Sequence, residues 1–504
     1  MTRTKQRNPR RRPSFRWLGL LAACGLLAVA CSSSGDNNTE EADAGSSAAP
    51  AEAPEPTETD DQPAGDDEEA SDADVEDTEA APEEPAGDAE SAGEEADAPD
   101  DAGDTSDADD TAVSSEVRGI TDDTITIGYL YLDLDDVRER GLISLNWGPQ
   151  GEHVQVIVDH INANGGINGR SIEIIPRAFS PIGGADARSA CLELTEDAET
   201  FAVLGALRND EALCYTEQHD TIAIANGDLT RERLDRSTAP YASVNASRER
   251  IIGSFVAEGV ERGLFDDRTI AVLSTDAADV AADVAIPALT DAGVAVEQEH
   301  LIRSDGTLGG AAVAVSNATE TLRAGGVDAV FVVGDAIVAV NTFIGAGFFP
   351  TLYFTDQGSA TVTSGRADLT GFEAIYTYGP PSASERYGEP VFQQECVEPW
   401  NGLNPDAATM DPALVPDGEP NHAVGLSAAC RALAVFTTIA EAAGADLNNA
   451  TFQAALDALG EFHLPGTGPA TLGAGKYDAE DNLRLAVFNP DAAEDEPNFV
   501  AVGE

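Results

Sequence analysis

INANGGINGRSIEII, residues 161–175, decides the fold, because one short run holds the end of a helix, a turn and the start of a strand. Upstream, Val154, Ile157, Val158 and Ile161 recur at helical spacing and predict a helix over 148–162. Gly165 and Gly166 stop it, as glycine does just past a helix C-terminus. Downstream, SIEIIP (171–176) reads as a strand, and upstream of the helix TITIGYL (124–130) is β-branched and apolar, another strand. Strand, helix, strand is the unit from which parallel sheets are built.

The pattern continues. A helix is expected over 185–196, a strand at 201–207 (FAVLGAL), a helix over 210–219, a strand at 221–225 (TIAIA) and a long helix over 248–262. It restarts with TIAVLS (269–274) and a helix over 277–292. Strands at 294–300, 329–334 and 351–355 follow, with helices over 309–324 and 337–346 between them. Near-continuous apolar strands imply burial on both faces, hence parallel sheets covered by helices. Two such runs in series predict an α/β protein of two doubly wound parallel-sheet lobes. Residues 405–420 are proline-rich and irregular. Helices over 423–443 and 451–459 and a last strand at 484–489 complete the chain.

Before this body lie two segments of other character. Residues 1–16 carry seven bases and no acid, and WLGLLAACGLLAVA (17–30) is apolar over 14 residues. About 20 are needed to span a bilayer, so 1–30 reads as a signal peptide. The segment ends Ala28-Val29-Ala30-Cys31, which resembles the bacterial lipobox, with Cys31 as the lipidated residue and an ordinary secretory signal as the alternative. Leu21-Ala22-Ala23-Cys24 also fits, but a cut there leaves an apolar core of about seven residues, the bottom of the workable range. Residues 31–116 form an acidic linker: 32 acids and no Lys or Arg between 36 and 116. Such a segment repels itself and has little to bury, so it is expected to be a disordered tether.

The body, 117–504, holds 59 acids against 21 bases. That argues against nucleic acid as a partner and against adsorption on anionic lipid. Lys5 and Lys476 are the only lysines. Four cysteines remain in the body, Cys191, Cys214, Cys396 and Cys430. An even number in an exported chain suggests disulfides, with pairing of sequence neighbours expected and free buried thiols the alternative. No CxxC occurs and the six His are scattered, so no metal or other cofactor is expected.

Thr126-Ile-Gly128, the 161–175 stretch and Phe201-Ala-Val-Leu-Gly205 together resemble the leucine/branched-chain amino acid type of periplasmic binding protein, the solute receptors of ABC importers. The resemblance runs from about Ile120 to near the C-terminus. It implies the type I fold: lobe one over 117–244, lobe two over 245–377, a return to lobe one over 378–483, and a C-terminal strand, 484–504, in lobe two or the hinge. It also implies an ABC permease as membrane partner.

Ligands of open α/β sheets bind beyond the carboxyl ends of the strands. The candidates in lobe one are therefore Arg208, Asn209 and Asp210, then Asn226, Gly227 and Asp228; in lobe two they are Thr275, Asp276, Asp335, Asp356 and Gln357. The resemblance implies an acid in lobe two for a ligand ammonium, a position Asp356 matches. It also implies lobe-one hydroxyls for a carboxylate, where this chain instead has Arg208-Asn209-Asp210. Arg208 would grip a carboxylate directly with its fork, or else pair with Asp210 or Asp228 at the rim. Asp276 and Asp335 would serve equally as helix caps. The loop from Leu132 to Trp147 is a candidate cover, with Trp147 stacking on the ligand or belonging to the core.

The expected function is a lipid-anchored extracytoplasmic receptor that captures a small polar solute, an amino acid or a related amide or carboxylate, for an ABC importer. A sensor on the same fold, signalling to a membrane partner, is the alternative. No GxSxG, Walker loop, HExxH or G-x-G-x-x-G is present, so the chain is not expected to be an enzyme.

Overall fold

The computed structural model describes residues 117–139, 144–181, 185–208, 210–227, 229–275, 278–302, 308–334, 336–355, 357–364, 368–416, 418–492 and 498–503. The leader, Cys31 and the acidic tether lie outside them.

The first sheet is parallel throughout, in the order β2-β1-β3-β4-β5. Its strands are β1 (Thr124–Leu132), β2 (Ser171–Phe179), β3 (Ala202–Gly205), β4 (Ile222–Ala225) and β5 (Tyr241–Ser243). The 161–175 stretch makes the predicted turn. Helix α1 (Gln150–Ala163) ends beside Gly166, whose φ is 63° and whose absent Cβ would lie 2.0 Å from the Arg170 carbonyl oxygen. Only glycine fits there.

The second sheet runs β14-β13-β10-β9-β8-β6-β7. Its parallel strands are β6 (Ile270–Ser274), β7 (Val296–Leu301), β8 (Ala329–Val333), β9 (Thr351–Phe354) and β10 (Ile375–Gly379). Between β5 and β6 lies helix α2 (Arg248–Glu261). After β10 the chain forms helix α3 (Ala383–Tyr387) and returns to the first sheet. There helix α4 (His422–Ala443) packs on α1 and contributes Leu426, Leu433, Phe436 and Ile439 to the first core. It is long and apolar enough to cross a membrane, yet two thirds of it is buried in the protein (67%), as befits a core helix. A hairpin of β11 (Gly460–Leu464) and β12 (Gly468–Leu472) follows. The chain then rejoins the second sheet as β13 (Arg484–Phe488) and β14 (Phe499–Ala501), both antiparallel.

The two doubly wound lobes are as expected, with two differences of detail. The second sheet is mixed, because the returning chain enters it from the opposite direction. And β7 alternates half-buried and exposed residues instead of being buried on both faces, because it is an edge strand. The helices expected over 185–196, 210–219 and 277–292 each contain a five-residue π-helical stretch, at Glu193–Asp197, Cys214–Gln218 and Ala281–Ala285. Each sheet has a core on both faces. The second sheet's are built around Phe343 and Phe354 on one side and Phe255, Phe331 and Tyr353 on the other. The structure joins Cys191 to Cys214 and Cys396 to Cys430, all four in the first lobe.

Candidate functional site

In the first lobe, β3 ends at Gly205 with φ 108°, where a Cβ would lie 2.2 Å from the Leu130 carbonyl oxygen. Glycine thus lets β3 leave the sheet hard against β1. The Asn226 N–H donates to the Gly205 carbonyl at 2.8 Å, which ties the exit of β4 to that of β3. Arg208 emerges there exposed. Asp210 does not serve it: Asp210 accepts from Arg233 at 3.1 Å and lies 3.6 Å from Arg236, both on the 231–236 helix. The Asn226 carbonyl accepts from Asn245 Nδ2, while Asn226 Oδ1 is buried with no hydrogen-bond partner. Gly227 leaves its surroundings open, with Asn245 Nδ2 at 3.8 Å from where its Cβ would be.

In the second lobe, Thr275 is buried, and its N–H donates to the Val333 carbonyl at 3.1 Å. Gln357 is half-buried and lies over the end of β10: a Cβ on Gly379 would be 2.4 Å from Gln357 Oε1. Asn209, Asp228, Asp276, Asp335 and Asp356 lie outside the described residues. Trp147 is half-buried, and its carbonyl faces Gly425 of α4.

The structure adds a centre that strand-end reasoning missed. Three segments cross between the lobes: 244–247, 379–382 and 478–483. Two of them run side by side, joined by Ser243 N–H to the Tyr477 carbonyl (2.8 Å), Ala479 N–H to the Ser243 carbonyl (2.9 Å) and Glu480 N–H to the Val244 carbonyl (3.1 Å). Arg250, in the first turn of α2, donates to Asp478 at 2.8 Å, to Asp481 at 3.1 Å and to the Glu480 carbonyl. The Ser247 N–H donates to Asp478 at 2.6 Å. Lys476 Nζ donates to the Thr471 and Asp478 carbonyls at 2.5 and 2.6 Å and lies 3.0 Å from Asp481. A depression of ≈ 450 Å³ opens beside this cluster, lined by Thr230, Arg231, Glu249, Arg250, Lys476 and Asp478 among others.

Deeper in lies a second cluster. Arg431 of α4 is 3% exposed and Glu480 is 1% exposed; Arg431 Nη2 donates to Glu480 at 2.5 Å and Nη1 to Asn245 Oδ1 at 3.1 Å. Burial pulls the Arg431 guanidinium below its ordinary pKa, and Glu480 opposes that. Beside the pair stands Arg386 of α3, whose pKa is drawn down to about 10 by burial and then by Arg431, against Glu480 and Glu385. One sequence signal for this centre existed: Arg431 is the only Lys or Arg in α4.

Among the described residues, Cys191, Cys214 and His219 stand close enough to hold a metal, but both sulfurs are spent in a disulfide.

No family model and no curated protein matches the chain. Solved structures do. An ABC transporter substrate-binding protein from Desulfitobacterium hafniense, in complex with Leu, has a TM-score of 0.53 at 15% identity, covering 75% of this chain and 100% of that one. A solute binding protein of an ABC transporter from Rhodopseudomonas palustris HaA2, in complex with p-hydroxybenzoic acid, scores 0.55 at 12% identity, over 75% and 96%. A fatty acid ABC transporter substrate-binding protein from Thermomonospora curvata scores 0.52 at 14% identity, over 77% and 93%. Identities this low establish architecture alone, and the architecture they establish is the type I periplasmic binding protein fold.

Proposed function

We propose that the chain is an extracytoplasmic, lipid-anchored solute receptor that captures a small polar solute between its lobes and delivers it to an ABC permease. The observation that carries this reading is the pair of separately cored sheets joined by three crossing segments. Such a hinge closes when a ligand contacts both sides, since the closed state is then favoured by the ligand's differential affinity for it. The proposed contacts are Arg208, Asn209, Asn226 and Gly227 on the first lobe and Asp276, Asp335, Asp356 and Gln357 on the second. The similar structures support the reading in kind: they are named as binding leucine, p-hydroxybenzoate and fatty acid. All three are small carboxylates. Cys31 is the proposed lipid attachment, and a binding role without turnover follows from the same reading.

A thermal-shift screen of the full chain against amino acids, amides and organic acids tests it, with X-ray scattering on each hit. A solute at about 100 times its dissociation constant adds about 2.7 kcal/mol of stability, and the radius of gyration should fall. A screen without a hit, together with an unchanged radius, removes the receptor reading. Cys31→Ser should release the protein from the membrane fraction.

A further inference from the structure

We infer that Arg386 is the group that binds the solute's anionic end, and that the solute is therefore a carboxylate. This rests on the receptor reading and narrows it. Arg386 Nε is buried with no hydrogen-bond partner. Its Nη groups make no hydrogen bond or ion pair with the described residues. They are also absent from the buried unpaired atoms, so they reach solvent. The side chain is thus half-enclosed, rooted in protein and open at its fork.

Both neighbouring acids already hold other donors. Glu480 is bound by Arg431 at 2.5 Å and by the Asn482 N–H at 3.1 Å. Glu385 is bound by Arg484 and by the Ser382 N–H and hydroxyl at 2.9 and 2.7 Å. Among the described residues, Arg431 pairs with Glu480 and Arg484 with Glu385, and Arg386 forms an ion pair with neither. The chain as a whole has 91 acids for 28 bases. In so acidic a protein the lack of an ion pair to Arg386 among the described residues is not explained by a shortage of acids.

Position adds to chemistry. Glu385 and Arg386 follow the 379–382 crossing, Glu480 lies in the 478–483 crossing, and Asn245, which holds Arg431, lies in the third. All three crossings therefore meet around this group of arginines. An oxyanion seated on Arg386 would neutralise it and touch the segments that closure moves. The planar fork of arginine suits a carboxylate, which accepts two parallel N–H bonds. Asn226 Oδ1 and Thr467 Oγ1 are also buried and unpaired in this region of the chain, near Asn245 and Gly466 respectively.

The test uses matched probes on the full chain: leucine, 4-hydroxybenzoate and dodecanoate, each against its primary amide, by thermal shift and calorimetry. At least one carboxylate should bind, its amide at least 100-fold more weakly. Arg386→Gln should lose that affinity by 100-fold or more while the ligand-free Tm holds or rises. Arg386→Lys should recover part of it. The inference is overturned if an amide binds as well as its acid, or if Arg386→Gln binds the acid unchanged; in both cases the receptor reading stands. Wild-type chain that binds none of the three acids, while the wider screen finds a solute without an anionic group, overturns the inference and leaves the receptor reading standing; a wider screen without a hit and with an unchanged radius removes both.

Discussion

Arg250 and Arg386 stand at the same hinge and meet opposite fates. Arg250 has two carboxylates and a crossing-segment carbonyl, and the neighbouring Lys476 shares the same acids. Arg386 has Arg431 for a neighbour and acids already taken. The first arrangement is a balanced lock that ties α2 to the 478–483 crossing. In the second, Arg386 has no ion pair among the described residues, and on the inference above a solute carboxylate would supply it. The difference is between a guanidinium whose charge is matched inside the protein and one left without an ion pair there.

Four measurements break or sharpen this contrast. The largest effect should come from Glu480→Gln, which leaves the Arg431 charge buried without its counter-ion. A cost of about 3–5 kcal/mol is expected in urea unfolding; a cost below 1 would mean that the charge count around Arg386 is not what governs this centre. Arg250→Met should cost about 2 kcal/mol, since Asp478 keeps Lys476 and the Ser247 N–H. If it costs nothing, the balanced cluster is no lock.

A third buried base meets the burial problem by staying neutral. His153 is fully buried, 3.1 Å from His422 and edge-on to Trp400, and burial and then His422 push its pKa down to about 3. The unfolded chain takes up this proton near pH 6.5, before the folded one does. Stability from this group is therefore complete above about pH 6.5 and lost as pH falls toward 3, by about 2 kcal/mol at pH 5. Unfolding midpoints at pH 7 and 5 check it, and His153→Gln should lack this part of the decline. The smallest effect should be Arg386→Gln without ligand, neutral or stabilising by up to about 1 kcal/mol. Marked destabilisation would make Arg386 a structural residue and close the contrast.

Much of the fold was legible because its strands are buried apolar runs between helices of regular period. AVLG and IAIA at β3 and β4 are buried at every position, and the 161–175 turn is glycine where no side chain fits. The short strands β5, β11, β12 and β14 were not legible. Three to five residues carry too little period of their own, and β5 and β14 owe their pairing to neighbours already in the sheet. Among candidate site residues, Asn226 and Gly227 follow from the strand-end rule and do stand beside a crossing segment. The bond imagined between Arg208 and Asp210 is absent because the 231–236 helix, unread in the sequence, brings Arg233 and Arg236 to Asp210 first. Arg386 could not be read at all: in the string it is one more arginine beside a glutamate.

The order of strands and helices, the two successive lobes and the acidity of the surface are properties of the sequence itself, since hydrophobic period and charge are local and additive. Which cations go unpaired is not. Arg386, Arg431 and Glu480 lie up to 94 residues apart, and only the crossing segments bring them together. Whether a charge is compensated depends on distances and burial, which belong to the folded chain.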